Sequence, residues 1–406
     1  MVAARLGIMG SSRTISCPAG VITGDVSGDS VVFDPIIYAQ AHPFARDYGA
    51  GDPLLMSITT PVTVRQLSDL PVVVVIHGGR YESGSYDEPW WDGTALARNN
   101  VITVSVNYRL ALAGFVPFAD DEPHHFRGVD DVAQALSWLQ ENIESFGGDP
   151  TNITVVGHSA GAGVALWLCR KDHYQGLFRR MVALSPSFPL KPFLKKKAKL
   201  RRILGKPITR KALSAMPAKK LQRGYQRFSR SIRMDIAVGT APFAAYELAD
   251  VPILLSCTRE EMLDMPIAKR IDSSWWSRLV LPVIRRQLGA NNAYSPPFAA
   301  RSCGYLIGDY MIRRFVLAIA DSAPYNSWLI EHRGTVTAPK KHCDDIAWVL
   351  GHGETQHPVF NEFLSFIRSG SVSWPQYGKE KTALVYQGEQ PEITSDPLAY
   401  LREGLR

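Results

Sequence analysis

The stretch from Phe146 to Ala162, Phe-Gly-Gly-Asp-Pro-Thr-Asn-Ile-Thr-Val-Val-Gly-His-Ser-Ala-Gly-Ala, restricts the possible folds more than any other part of the chain. A loop leads into a short β-branched strand, Ile153 to Val156, then a G-x-S-x-G turn (Gly157, His158, Ser159, Ala160, Gly161), then a helix of small and apolar residues. A sharp strand-to-helix turn of this kind lifts the serine hydroxyl clear of the sheet, and glycines on either side leave room where side chains would collide. The start of the helix also presents backbone N–H groups to developing negative charge. The order predicts a nucleophile elbow at Ser159; a glycine-rich turn that merely exposes a serine is the alternative.

Two further stretches fit the elbow. Pro71 to His77 is a continuous apolar run of strand length, the pattern of a central strand covered on both faces. It runs into His-Gly-Gly-Arg-Tyr-Glu-Ser-Gly-Ser, from His77 to Ser85. From Gly128 to Phe146, the residues Val129, Val132, Leu136, Leu139, Ile143 and Phe146 recur every three or four positions, which predicts a helix with one apolar stripe lying on the sheet.

Together these blocks resemble the type-B carboxylesterase family of α/β-hydrolases: the F-G-G-D-P-x-N-I-T elbow block, the H-G-G-x-[FY]-x-x-G-S loop, Asn-Tyr-Arg-Leu at Asn107 to Leu110, and the Trp138 to Ile143 segment. The resemblance implies an α/β fold of the α/β-hydrolase type, a mostly parallel central sheet flanked by helices. It implies Ser159 as nucleophile and the N–H groups of Gly79, Arg80 and Ala160 as the oxyanion hole. Arg80 stands where the family has glycine or alanine, and its side chain either turns to solvent or meets an anionic group on the substrate. After a strand at Val251 to Ser256, Glu261 falls on the family's triad-acid position, with Glu260 and Asp264 as competitors. Lys-His-Cys-Asp-Asp-Ile-Ala-Trp-Val-Leu-Gly, from Lys341, matches the segment that carries the general base, which selects His342 from ten histidines. His332, His352 and His357 lack that context and read as surface residues. Tyr81, Trp90, Trp91 and His158 are the candidates for lining the substrate pocket, with plain packing as the other reading of the tryptophans. The family's long loop between its first strands is cut here to about a dozen residues (Ala41 to Pro53), which implies a more open site.

Charge is segregated. Between Arg179 and Arg233 there are eighteen Lys and Arg and no Asp or Glu, while the whole chain carries +7, so the remainder carries −11. Helices from about 190 to 245 would form a basic cap inserted after the nucleophile region. Such a cap is either a solvated surface, a funnel for anionic esters, or a patch for anionic lipid headgroups. Few aromatics interleave the charges and no reader motif is present, so nucleic acid is not an expected partner.

With 406 residues and 46% apolar composition, a single α/β-hydrolase domain over 17–406 is expected, after a disordered lead at 1–16. The five cysteines are scattered without a C-x-x-C pair and read as reduced thiols. No apolar run approaches the ~18 residues of a membrane span, and the N-terminus lacks the form of a secretory signal, so the expected localisation is cytoplasmic. The His124–His125 pair lacks further ligands at metal spacing. The expected function is a serine carboxylester hydrolase acting on short to medium acyl esters, with no metal or organic cofactor. The same triad could serve a lipase, thioesterase or amidase, and the fold without turnover could serve as a binding protein.

Overall fold

The computed structural model describes residues 11–232, 235–296, 302–323, 326–335, 337–353 and 357–405. Twelve strands form one sheet among them. An antiparallel wing comes first: β1 (Ser12–Cys17), β2 (Gly20–Ser27), β3 (Ser30–Ala41) and β4 (Asp52–Pro61). The parallel centre is built by β5 (Leu70–Ile76), β6 (Ile102–Val106), β7 (Gly148–His158), β8 (Arg180–Leu184), β9 (Ile253–Thr258), β10 (Ser327–Arg333) and β11 (Thr382–Gln387). Strand β12 (Gln390–Ser395) closes the far edge antiparallel to β11. The spatial order is β1-β2-β3-β4-β6-β5-β7-β8-β9-β10-β11-β12, the expected α/β architecture.

The wing corrects the expectation of a disordered lead at 1–16. Residues 1–10 lie outside the described residues, but Ser12–Cys17 is paired along its length with β2. The Arg13 guanidinium also reaches the carbonyls of Val62 and Val64. The alternation Arg-Thr-Ile-Ser-Cys is weak in sequence because β1 is an edge strand with one exposed face.

The apolar run of β5 is explained by its two covered faces. Val72, Val74 and Ile76 point into one core with the helix Arg127–Asn142, while Val73 and Val75 point into a second with Leu96, Trp91 and Phe363. The predicted helix at Gly128 to Phe146 runs over Arg127–Asn142 and tightens into a 3₁₀ turn at Ile143–Phe146, closed by Gly147 at φ +87°. Its Asp131 is fully buried and accepts from the Arg109 Nε, Arg109 Nη2 at 2.7 Å, the Arg109 backbone N–H and the Tyr48 hydroxyl. That network fixes the Asn107 to Leu110 segment beneath the loop after β5. Tyr108 stacks on His77 at 4.5 Å and donates to its carbonyl, and the Ala111 N–H donates to the Tyr81 carbonyl.

The basic segment is helical as expected, with helices at Lys197–Leu204, Arg210–Ser214 and Ala218–Ser231; Arg233 lies outside the described residues. It is pinned by its few buried charges. Lys196 pairs with Asp235 at 3.0 Å, and Arg210 reaches Asp120, Asp121 and the Phe44 carbonyl. The Tyr225 and Ser229 hydroxyls both donate to Glu82.

Candidate active site

Every candidate catalytic group sits where a parallel strand ends, the edge at which open α/β sheets place ligands. Strand β7 ends at His158, and Ser159 follows at φ +53°, ψ −116° before the helix Ala160–Leu168 begins. This strained backbone is held from three sides. The Ser159 N–H donates to the Leu184 carbonyl, and its own carbonyl accepts from Gly163 and Ser187. A Cβ on Gly157 would fall 2.5 Å from the Ala162 Cα, so only glycine lets the helix fold back this closely.

The loop after β5 carries three successive residues in the left-handed region: Gly79 at +104°, Arg80 at +59° and Tyr81 at +63°. The loop packs closely on the elbow: a Cβ on Gly78 would fall 3.2 Å from the Ser159 Cβ. Ala160 is the first residue of its helix, so its N–H lacks an intrahelical acceptor. The Arg80 side chain is exposed and donates to the Asp235 carbonyl at 3.2 Å, so it ties the loop to the cap.

Glu261 lies in the loop after β9 and His342 in the loop after β10. Glu261 Oε2 and His342 Nδ1 are 2.6 Å apart. The other carboxylate oxygen, Oε1, accepts from the Ser185 hydroxyl at 2.7 Å and the Thr258 N–H at 2.9 Å, and the His342 N–H donates to the Glu261 carbonyl. The register ambiguity among three acids is resolved by their partners. Glu260 is bonded to Arg259 and caps the Gly334 and Lys340 N–H groups, and Asp264 pairs with Lys269 and Lys341.

Burial works against a charged His342, but its hydrogen bond to Glu261 and the charges of Glu261, Asp345 and Asp344 outweigh it and raise its pKa above the ordinary 6.5. The His158 ring lies against His342 with centroids 4.9 Å apart. Burial, then the proximity of His342, depress the His158 pKa, so this second imidazole stays neutral and does not oppose an imidazolium beside it.

Asp345, one turn after the base, was not singled out by sequence. It is fully buried, and its Oδ2 accepts from the Ser256 hydroxyl at 2.9 Å. Burial, then the charge of Glu261, push its pKa up to about 6. Ser185 likewise escaped notice, because a serine after a strand carries no signal until its acceptor is known.

The pocket candidates separate. His158 is at the site. Tyr81 is fully buried and acts as a strut, donating its hydroxyl to the Ser187 carbonyl and packing edge-on against Phe115. Trp91 belongs to the core on the sheet's other face, so the expectation that it lines the pocket is corrected, and Trp90 is half exposed on the short turn Pro89–Trp91. His332 and His357 are also corrected, from surface to core. β10 is flanked by strands on both sides, and the two rings pack with Tyr386 and Trp348. A cavity of about 1040 Å³ opens beside the oxyanion loop, between Glu82, Ser83, Leu112 and the cap residues Leu213, Leu221 and Tyr225. Neither Ser159 nor His342 lines it.

A mostly parallel sheet with a strained serine elbow after one strand, an acid after a later one and a histidine after the next defines an α/β-hydrolase. The model of the carboxylesterase family matches residues 27–210, a little under half of the chain. Mouse neuroligin-2 is 42% identical over 123 residues, covering 30% of this chain and 14% of that protein. Rat bile salt-activated lipase is 40% identical over 153 residues, covering 34% and 25%. The aligned stretch thus spans a quarter or less of these relatives. The fold likeness is far wider: the Geobacillus stearothermophilus carboxylesterase EST55 superposes with TM-score 0.80 at 22% identity, over 97% of this chain and all of that one. A structure titled PNB esterase gives 0.78 at 23%, over 96% and 99%.

Two outcomes follow from the charges around His342. If His342 serves as a base it must be neutral to accept a proton, so kcat/KM should rise with pH through an apparent pKa above 6.5. Glu261→Gln should move that limb to lower pH and cut kcat on the order of a thousandfold or more, read from pH–rate profiles of the two proteins. For Asp345, the raised pKa means the folded state holds the proton more tightly than the unfolded chain. Its contribution is complete below 3.8 and is lost as pH rises through about 6. Asp345→Asn should therefore gain about 3 kcal/mol relative to wild type between those limits, measured by urea denaturation across pH.

Proposed function

We propose that the protein is a serine carboxylester hydrolase, and the observation that carries the proposal is the 2.6 Å bond between Glu261 and His342 beside the strained Ser159 elbow. His342 takes the Ser159 hydroxyl proton as the oxygen attacks the ester carbonyl. The carbonyl oxygen becomes an oxyanion held by the N–H groups of Gly79, Arg80 and Ala160. The intermediate collapses as His342 passes the proton to the leaving alcohol, and an acyl-Ser159 ester remains. Water then loses a proton to His342 and attacks that ester; the acid leaves and Ser159 regains its proton. Glu261 holds the imidazole tautomer with Nδ1–H and stabilises the imidazolium, while the Ser185 hydroxyl and the Thr258 N–H hold the carboxylate in position.

The substrate is a small ester of short to medium acyl length. The short segment at Ala41 to Pro53, whose His42 to Ala45 line the cavity between Glu82 and the cap, supports a site without the long loop that would narrow it. The similarity to a bile salt-activated lipase supports ester chemistry. A cytoplasmic location and a guiding role of the basic cap toward anionic esters belong to the same reading.

Initial rates on p-nitrophenyl esters of increasing acyl length test it. Turnover that peaks at short to medium chains and falls by on the order of a millionfold in Ser159→Ala is expected. Turnover that survives Ser159→Ala, or folded protein without turnover on any chain length, would remove the hydrolase reading.

A further inference from the structure

The helix Ser277–Gln287 buries only one side. Leu281 packs inward, while Trp275, Leu279 and Val283, at successive spacings of four, are 87%, 71% and 54% exposed. Four-residue spacing puts Leu279 and Val283 on one helical face with Trp275 just before it. This apolar stripe borders a cleft of about 710 Å³ whose walls come from two separate parts of the chain. One wall is apolar, from Ile267, Ile271, Ile284 and Leu288, and the other is the start of the basic cap, from Leu190, Lys191, Lys195 and Lys199. Leu194 projects from the cap side and Ile267 from the other, both largely exposed.

On this face the cations lack carboxylate partners among the described residues, Lys199 donating to the Ser231 carbonyl at 2.8 Å, while the anions are taken. Among the described residues, no ion pair involves Lys191, Lys195, Lys199, Arg278 or Arg286. Asp235 is taken by Lys196, Asp264 by Lys269 and Lys341, and Asp272 by the Ser302 hydroxyl and the N–H groups of Cys303 and Gly304. The result is a tryptophan-led apolar ridge beside an apolar-floored cleft, ringed by positive charge.

We propose that this face docks the protein onto an anionic lipid surface, with Trp275, Leu279 and Val283 entering the interface, Lys191, Lys195 and Lys199 meeting phosphate or carboxylate headgroups, and the cleft receiving an acyl chain. Tryptophan and aliphatic residues on one side of a helix with Lys and Arg around them match the distribution of a surface-seated amphipathic element. Charge selects the lipid over a second copy of the chain, because two such faces would oppose unpaired cations to one another. No helix among the described residues is long and apolar enough to cross a membrane, so contact would be at the surface.

Docking does not depend on hydrolysis, so the test uses Ser159→Ala protein, which separates a failure here from a failure of the esterase reading. Flotation with phosphatidylcholine vesicles, with and without phosphatidylglycerol, measures binding, and the emission of Trp275 is isolated by difference from Trp275→Phe. Binding only to the anionic vesicles, with a blue-shifted Trp275 and a loss at high salt, is expected. Replacing Lys191, Lys195 and Lys199 by Gln should weaken it on the order of a hundredfold, and Leu279→Ser with Val283→Ser should abolish the emission shift. Equal binding of both vesicle types, or no binding, overturns the proposal. So does a concentration-dependent dimer that disappears in Leu279→Ser with Val283→Ser, which would assign the face to a second copy.

Discussion

Ser159 at φ +53° and ψ −116° is the constraint on which the rest of the structure turns. Such a conformation costs on the order of 1–3 kcal/mol and persists only where the surroundings over-determine it. Here they do so through long-range partners: Leu184 at the end of β8 takes the N–H, and Gly163 and Ser187 hold the carbonyl. The elbow thus requires β8 beside β7, and the small residues Gly157, Gly161 and Ala162 where helix meets strand. The Tyr81 strut spans from the loop after β5 to Ser187, so the contacts that fix Ser159 also tie that loop to it.

The electrostatics follow from placing three titratable groups with different fates in one small volume. Glu261 is bonded by the Ser185 hydroxyl, the Thr258 N–H and His342, burial beside it pushes the Asp345 pKa up to about 6, and burial depresses the pKa of His158 against His342. His342 therefore gains its basicity first from the hydrogen bond to Glu261 and then from the charges of Glu261, Asp345 and Asp344. The ring contact with His158 also limits how far the imidazole can rotate away from Glu261.

Much of this was legible in the chain. The elbow, the loop after β5 and the helix Arg127–Asn142 are local patterns whose periodicity and glycine placement survive folding unchanged. The acid was less so: Glu260, Glu261 and Asp264 are chemically alike, and only Glu260's capping of Gly334 and Lys340 and the pairing of Asp264 with two lysines leave Glu261 for the base. Trp91, His332 and His357 were misplaced because exposure depends on which strands become neighbours, and that is set by contacts far apart in sequence. The edge strand β1 and the supporting Ser185 had no local signature, and Asp345 lay within the segment matched for His342 without a role assigned to it. The cap's charge was plain from composition, but the apolar ridge beside it depended on which side of the helix Ser277–Gln287 is buried.

The central claim is that Ser159 is an activated nucleophile whose base is His342. Mass spectrometry of the protein after reaction with a fluorophosphonate measures this most directly, because the serine oxygen displaces fluoride and leaves a stable phosphonyl ester without needing the natural substrate. The account predicts one adduct, on Ser159, formed far more slowly in His342→Ala and absent in Ser159→Ala. An adduct elsewhere, or labelling of Ser159 at the same rate without His342, would contradict it.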